Sequence, residues 1–372
     1  MISPTISYLT DVYFAPGSIT ILPELLSSLD VSRPMVVTDA GLVDLGMPDR
    51  IGIEEATLFS DVPTNPTERS VLAGLQRYRQ SDCDGIVALG GGSPMDCAKA
   101  IALLVTHPQP LEQYALIRGG IGNITADKPV VIAIPTTAGT GSEVGRASLI
   151  TFNETTKLAI VGKPMIPNAA ICDPELTLEL PPQLTAATGM DAISHCVETF
   201  CSPKFNPVAD AIALDGLQRA CANLREAVAN GSNLDARIEM MMASTQGALA
   251  FQKGLGMIHS LSHPLGALEK RLHHGTLNAI FLPHVLRFNA EACPEKMNRM
   301  AAATGAADGE ELAQFFKQLS IDIGLPTRLS ELGVTSEDLA PMAEPAVADH
   351  STATNPREFG IDDAREMLEL AM

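Results

Sequence analysis

Between Gly189 and Gly275 the chain collects Asp191, His195, His259, His263, His273 and His274, which include five of its eight histidines. Asp191 and His195 stand four residues apart in GMDAISHCVETF, so on a helix both side chains project from one face, one turn apart. His259 and His263 repeat that spacing in GMIHSLSHPLG. Two helices that turn such pairs toward one another can close a small cage of imidazole nitrogens and one carboxylate. Three neutral nitrogens with one anionic oxygen suit a borderline divalent ion, Fe(II) or Zn(II), with a position left open for a substrate oxygen. A lone histidine is more often a helix cap or a packed core residue. The whole set at helical spacing is what points to a metal centre.

A second group of residues suits a phosphate. After the apolar run GIVAL comes GGGSPMDCAKAIALL, whose glycines let the backbone turn sharply and approach a ligand closely. The sequence predicts Ser93 as the cap of a helix with Pro94 at its first position, so that the positive helix end faces an anionic pyrophosphate. A tight turn with a Ser93–Asp96 capping box is the plainer alternative. The loop is not the usual G-x-G-x-x-G, but Gly91, Gly92, Ser93 and Asp96 remain candidates for cofactor binding. A second loop, PTTAGTGSEV after VVIAI, offers Thr136, Thr137 and Thr140 at the same end of a neighbouring strand. Asp39, just after PMVVT, can accept hydrogen bonds from ribose hydroxyls and would repel a 2′-phosphate, which favours NAD over NADP. Its alternative role is an Asx turn.

The elements that must position these residues fall into two halves. Residues 34–38, 85–89 and 130–134 read as buried strands, and 66–80 and 94–105 as helices between them, which predicts a doubly wound α/β domain on a parallel sheet. From about residue 182 the strand signals stop. Helices are predicted over 183–201, 207–229, 234–253, 258–270, 295–305, 309–322, 335–348 and 361–371, with Asn206 capping a helix that begins at Pro207. The expected division is therefore an NAD-binding domain over 1–181 and an all-helical metal-binding domain over 182–372, with the boundary at Pro181 and Pro182.

Whole-chain properties bound the rest. The 372 residues are enough for two domains, and a formal charge of −19 argues against nucleic acid or an anionic membrane as partner. Seven cysteines without a CxxC pair suggest neither a disulfide framework nor a thiolate metal site, and a reducing compartment fits best. No leader pattern and no long apolar segment stand in the sequence, so a cytoplasmic protein is expected.

These motifs, GGGSPMDCAKAI, PTTAGTGSEV, DPELTLELPP, ATGMDAISHCVE, HSLSHPLGA and HHGTLNAIFLPHV, occur in the order and spacing of a known family. The chain resembles the iron-containing, or group III, alcohol dehydrogenases over nearly its whole length. The resemblance implies that Gly91, Gly92 and Ser93 hold the pyrophosphate and that Asp39 lies at the adenine ribose. It implies Thr136, Thr137, Thr140, Lys157 and Thr177 along the rest of the cofactor site. It makes Asp191, His195 and His259 metal ligands, and the fourth is the histidine before a glycine, here His274. The spacing to that last ligand is one residue longer than usual, and His273 is the alternative. A homodimer or higher homo-oligomer is also implied.

The expected reaction is hydride transfer between a small alcohol, aldehyde or hydroxy acid and the nicotinamide, with a metal polarising the substrate oxygen. His263, one turn from His259 and without a metal bond of its own, could pass the proton to solvent, or could simply be packed. Arg146, in SEVGRASLI, could fork onto a substrate carboxylate, or form an ion pair on the surface. Three other readings stay open: a hydroxyacid–oxoacid transhydrogenase, a lyase of the dehydroquinate synthase type, and a protein whose metal is purely structural.

Overall fold

The computed structural model describes residues 10–53, 55–153, 156–268 and 272–372. The chain divides into two compact units: one runs to residue 137 and resumes over 142–177, while the other takes 138–141 and everything from 178. The division thus falls a few residues before the expected 181, and a short loop joins the helical unit because Gly139 and Gly141 lie against Thr188 and Ala248.

The first unit is a parallel sheet in the order β1-β8-β5-β4-β2-β3. Its strands are β1 (Asp11–Phe14), β2 (Pro34–Val37), β3 (Thr57–Phe59), β4 (Gly85–Gly90), β5 (Val130–Pro135) and β8 (Ala169–Cys172). β2, β4 and β5 are the three strands expected; β1, β3 and β8 are short pieces of three or four residues that carry little pattern of their own. Helices α1 (Leu22–Ser28), α2 (Ala40–Asp44), α3 (Glu68–Gln80) and α4 (Gly92–Thr106) complete the layers. Alternate strand residues feed two cores, as a sheet buried on both faces requires. Met35, Val37, Ile86 and Ala88 pack with Val71, Leu75 and Ile101 of α3 and α4. Val36, Val87 and Leu89 pack with Leu22 and Leu26 of α1. A separate antiparallel hairpin, β6 (Ala147–Phe152) and β7 (Thr156–Val161), lies within the same unit.

The second unit is helical. It contains α5 (Pro182–Cys201), α6 (Pro207–Ala229), α7 (Leu234–Ala250), α8 (Met257–Gly266) and α9 (His274–Asn289). After them come α10 (Pro294–Thr304), α11 (Gly309–Asp322), α12 (Ser336–Leu339), α13 (Ala343–Ala348) and α14 (Ile361–Leu370). α5 is its spine, buried continuously from Thr185 to Cys201. Asn206 caps α6 as expected, its side chain accepting from the Ala209 amide at 3.1 Å. Three expectations need correction. The helix over 258–270 ends at Gly266, and residues 269 and 270 lie outside the described residues. The helix over 335–348 is broken into α12 and α13, where Pro341 lacks the amide a continuous helix needs. And α9 was not expected at all: it is buried nearly all round and carries Pro283 inside it, so neither an apolar stripe nor clean termini announce it.

Candidate metal centre and sheet edge

Three helices build the metal centre. α5 presents Asp191, His195 and Glu198 at a spacing of four and three, one face of the helix. α8 presents His259, and α9 begins with His274. The start of α9 is pressed onto α5: a side chain at Gly275 would come within 2.0 Å of the Ala187 carbonyl oxygen, so only glycine lets His274 reach the cage.

The donors converge on one oxygen. Asp191 Oδ1 lies 3.7 Å from His195 Nε2, 3.7 Å from His259 Nε2 and 3.6 Å from His274 Nε2. Bonds of about 2.0–2.2 Å to a tetrahedral ion put neighbouring donors about 3.3–3.6 Å apart. Asp191, His195 and His259 thus form a group able to hold a divalent ion, and His274 stands 3.6 Å from the same carboxylate oxygen. Asp191, His195 and His259 are buried, while the His274 side chain keeps 28% of its surface, so the centre opens on that side. His273, the alternative ligand, instead lines a surface cavity of about 700 Å³ with Leu272, Thr276 and Leu325.

Two residues that the sequence reading passed over hold the donors in place. Glu198 Oε2 contacts His259 Nδ1 and Oε1 accepts from the Ile258 amide at 2.6 Å. A carboxylate on Nδ1 fixes the tautomer that turns an Nε2 lone pair inward, and it also satisfies a first-turn amide of α8. The signal for Glu198 was its position seven residues after Asp191, on the same face. Asn278 on α9 donates to Asp191 Oδ1 at 2.8 Å, and its Nδ2 lies 3.3 and 3.2 Å from His259 Nε2 and His274 Nε2. The side chain thus stands among all three donor atoms. Its own Oδ1 is buried without a hydrogen bond, an orphan that the protein alone does not satisfy.

Charge follows from this crowding. Burial opposes a charge on Asp191, yet the imidazoles around it, His195 first, hold its carboxyl far below the ordinary range. Burial pushes His195 down to about 4, against the pull of Asp191. Burial also opposes a proton on His259, but Glu198 and Asp191 together outweigh it and lift that imidazole to about 9. Beside the centre, His263 Nδ1 lies 2.9 Å from Asp349 Oδ2, and its ring stacks on that of His274 with centroids 5.3 Å apart.

In the sheet unit the expected cofactor residues gather at the carboxyl ends of the strands. β3 lies to one side of β2 and β4 to the other, so the order of the chain reverses there, the place where ligands bind in such sheets. Asp39 follows β2 and caps α2, its Oδ1 accepting from the Leu42 amide at 3.0 Å, which is the Asx-type role. Gly91 and Gly92 follow β4, and Thr136 follows β5 with its amide donating to Gly90 at 3.1 Å. Thr137 stands beside Gly91, and Thr140 lies in the loop that joins the helical unit.

The side-chain roles expected at this edge change. Gly90, at φ 141°, turns the chain early, so Gly91 is the cap of α4 and Gly92 its first residue. Ser93 is already inside the helix and no side chain caps it; its hydroxyl accepts from the Asn65 amide at 3.2 Å. Asn65 Oδ1 in turn accepts from Lys157 at 3.0 Å. Asp96 forms no capping box: it is turned inward, where it accepts from Ser142 Oγ at 2.7 Å and the Leu149 amide at 3.0 Å. Lys99 donates to the same Ser142 at 2.7 Å, so this network anchors the hairpin. The Thr177 hydroxyl is buried and donates to the Pro174 carbonyl at 2.7 Å. Arg146 is exposed just before β6.

Residues 10–174 match the family described as iron-containing alcohol dehydrogenase, and residues 185–372 match the C-terminal part of the Fe-containing alcohol dehydrogenase family. A 4-hydroxybutyrate dehydrogenase of Cupriavidus necator is 46% identical over 99% of both chains. The crystal structure of a 1,3-propanediol oxidoreductase superposes with a TM-score of 0.93 at 39% identity, covering 99% of this chain and 100% of the other. A sulfoacetaldehyde reductase from Bifidobacterium kashiwanohense, solved in complex with NAD+, gives 0.91 at 30% identity over 100% and 99%. With both of its parts matched and relatives this similar along their full length, the chain belongs to the iron-containing alcohol dehydrogenase family.

Proposed function

We propose that this alcohol dehydrogenase is NAD-linked and divalent-metal-dependent, with Fe(II) the native ion and Zn(II) the alternative, and that it acts on short alcohols carrying an acidic group. The convergence of His195, His259 and His274 on one carboxylate oxygen of Asp191 carries the reading. A bound ion supplies Lewis-acid polarisation of the substrate oxygen, and nicotinamide supplies the hydride acceptor.

The chain's own residues do the rest. Asp191 contributes the anionic donor, and Glu198 and Asn278 keep the imidazole nitrogens and that oxygen aimed at one point. His263, held at Nδ1 by Asp349, offers its other nitrogen to carry the hydroxyl proton toward solvent. At the sheet edge, Gly91, Gly92 and the start of α4 hold the pyrophosphate through the backbone, with Ser93, Thr136 and Thr137 beside them. Asp39 supports NAD over NADP because one carboxylate oxygen remains for a ribose.

An acidic substrate is supported by the names of two relatives, one acting on 4-hydroxybutyrate and one on sulfoacetaldehyde, and Arg146 is the candidate partner for the anion. Free thiols at all seven cysteines support the cytoplasmic reading. Among the described residues no helix is long and apolar enough to cross a membrane. A homodimer or larger homo-oligomer is the assembly proposed, to be read by light scattering.

The test is steady-state kinetics of NADH oxidation with succinic semialdehyde and with butanal, on protein reloaded with Fe(II) and separately with Zn(II). We expect the acid to have the higher kcat/KM and Arg146→Ala to erase that preference. Equal rates for the two aldehydes would remove the acidic-substrate reading, and turnover in fully chelated protein would remove the metal.

A further inference from the structure

We propose that His263, Asp349 and His350 form a second divalent-cation site, suited to a borderline ion such as zinc or cobalt, beside the first centre and separate from it, in which case His263 is a ligand rather than the proton carrier. The three residues offer donor atoms that all lie within 4.8 Å of one another. His263 Nδ1 is 2.9 Å from Asp349 Oδ2, and His350 Nδ1 is 3.5 Å from Asp349 Oδ1. Donors on an ion with bonds of about 2.1 Å stand about 3.0 Å apart at a right angle and about 3.4 Å apart at a tetrahedral one. The first separation runs to Oδ2 and the second to Oδ1, so an ion would be held by both oxygens of the carboxylate or by one of them after a small turn of the group. The first is also a good hydrogen-bond length, and His350 follows Asp349 directly in the chain, so what the cluster adds is that donors from α8 and from the turn after α13 meet at one carboxylate.

The carboxylate is built in rather than loosely exposed. Asp349 sits between α13 and the 3-10 turn His350–Thr354, and Oδ1 accepts from the Ser351 amide at 2.8 Å. That turn is tied to α8 by the Ser260–Thr352 hydroxyl pair at 2.9 Å, and Thr352 also donates to the Ala346 carbonyl at 3.0 Å. The hydrogen bonds fix the distance between the helix that supplies His263 and the turn that supplies the other two donors. Fixed outer contacts of this kind are what orient a metal's ligands.

Access and chemistry fit the same ion. The His350 side chain keeps 29% of its surface, which leaves a solvent path and room for waters to complete the coordination. Two imidazoles and one carboxylate are the donor set of many zinc, cobalt and non-haem iron sites. The rings of His274, His263 and His350 stand in a nearly parallel file, with angles of 10° and 13° between neighbours, so His263 separates the two centres by one ring.

The experiment is a titration of chelator-stripped full-length protein with Zn(II), read by calorimetry and by metal analysis after gel filtration. Wild type should take two equivalents. His350→Ala, at a half-exposed position, should take one, and His350→Cys, which keeps a donor, should take two. His195→Ala should weaken the other equivalent, and combined with His350→Ala should leave neither tight. A single equivalent in folded wild type overturns the second site, as does retention of both by folded His350→Ala.

Discussion

The helical unit and the sheet edge would hold their proposed ligands by opposite means. At the metal centre the side chains are the site: three imidazole nitrogens are held around one carboxylate oxygen at 3.6–3.7 Å, each brought by a buried helix. At the sheet edge the side chains are largely spent on the protein itself, since Asp96, Ser93 and Thr177 all hold neighbouring residues. What remains there is backbone, the turn at Gly90 and the start of α4. A side-chain site fails when one residue changes. A backbone site should tolerate many changes so long as the turn survives.

The largest expected contrast tests this directly. His259→Ala removes a buried donor and leaves Glu198 facing a cavity. It should cost at least about a thousandfold in kcat, since Lewis-acid help amounts to several kcal/mol. Metal analysis should show the ion lost with it. A variant that keeps both metal and turnover would break the comparison at its stronger end.

The same crowding makes the metal-free protein sensitive to pH. His259 lies at about 9, above the ordinary value, so its contribution is fully present below about 6.5 and is lost as pH rises through 9. His195 lies at about 4, below the ordinary value, so its contribution is present above about 6.5 and is lost as pH falls through 4. Stripped protein should therefore be most stable near pH 6.5. It should lose about 3 kcal/mol by the alkaline end, at about 1.4 kcal/mol per unit of pKa. Thermal melts across pH in chelator read this, and Glu198→Gln should flatten the alkaline limb. Glu198→Gln should also weaken metal binding by about 10- to 100-fold through the loss of its hold on His259.

The sequence spoke clearly where chemistry needs a particular side chain at a particular helical spacing. Asp191, His195 and His259 converge because spacing of four residues on buried helices leaves little freedom. Their supports were harder to read. Glu198 lay in plain view on the α5 face, but a glutamate there reads equally as a solvated charge until α8 is packed against it. Asn278 depended on α9, whose all-round burial and internal Pro283 hid it. At the sheet edge the glycines announced a loop at a strand end. Which hydroxyl or carboxylate faces outward was set by one early turn at Gly90, and spacing of three residues between Ser93 and Asp96 could not tell a capping box from an inward carboxylate.

Asp96→Asn separates those two possibilities. If the carboxylate serves the hairpin, losing its charge should destabilise the sheet unit by about 1–3 kcal/mol, because Ser142 and the Leu149 amide lose a strong buried acceptor. The KM for NAD at a temperature where the variant is folded should stay near that of wild type. A normal melt with a raised KM would put Asp96 at the cofactor instead.

The smallest effect belongs to Ser93→Ala. Its hydroxyl accepts a single hydrogen bond, from the Asn65 amide, and that bond is worth about 0.5–1.5 kcal/mol. The amides at the start of α4 remain in place without it, and they, with the helix end, supply the attraction for pyrophosphate. We therefore expect the KM for NAD to change by less than about threefold, which is under about 0.7 kcal/mol. A rise of tenfold or more in KM, with the melting temperature unchanged, would mean that the hydroxyl turns to the phosphate when cofactor binds. The sheet edge would then depend on a side chain as the metal centre does, and the contrast between the two regions would be one of degree.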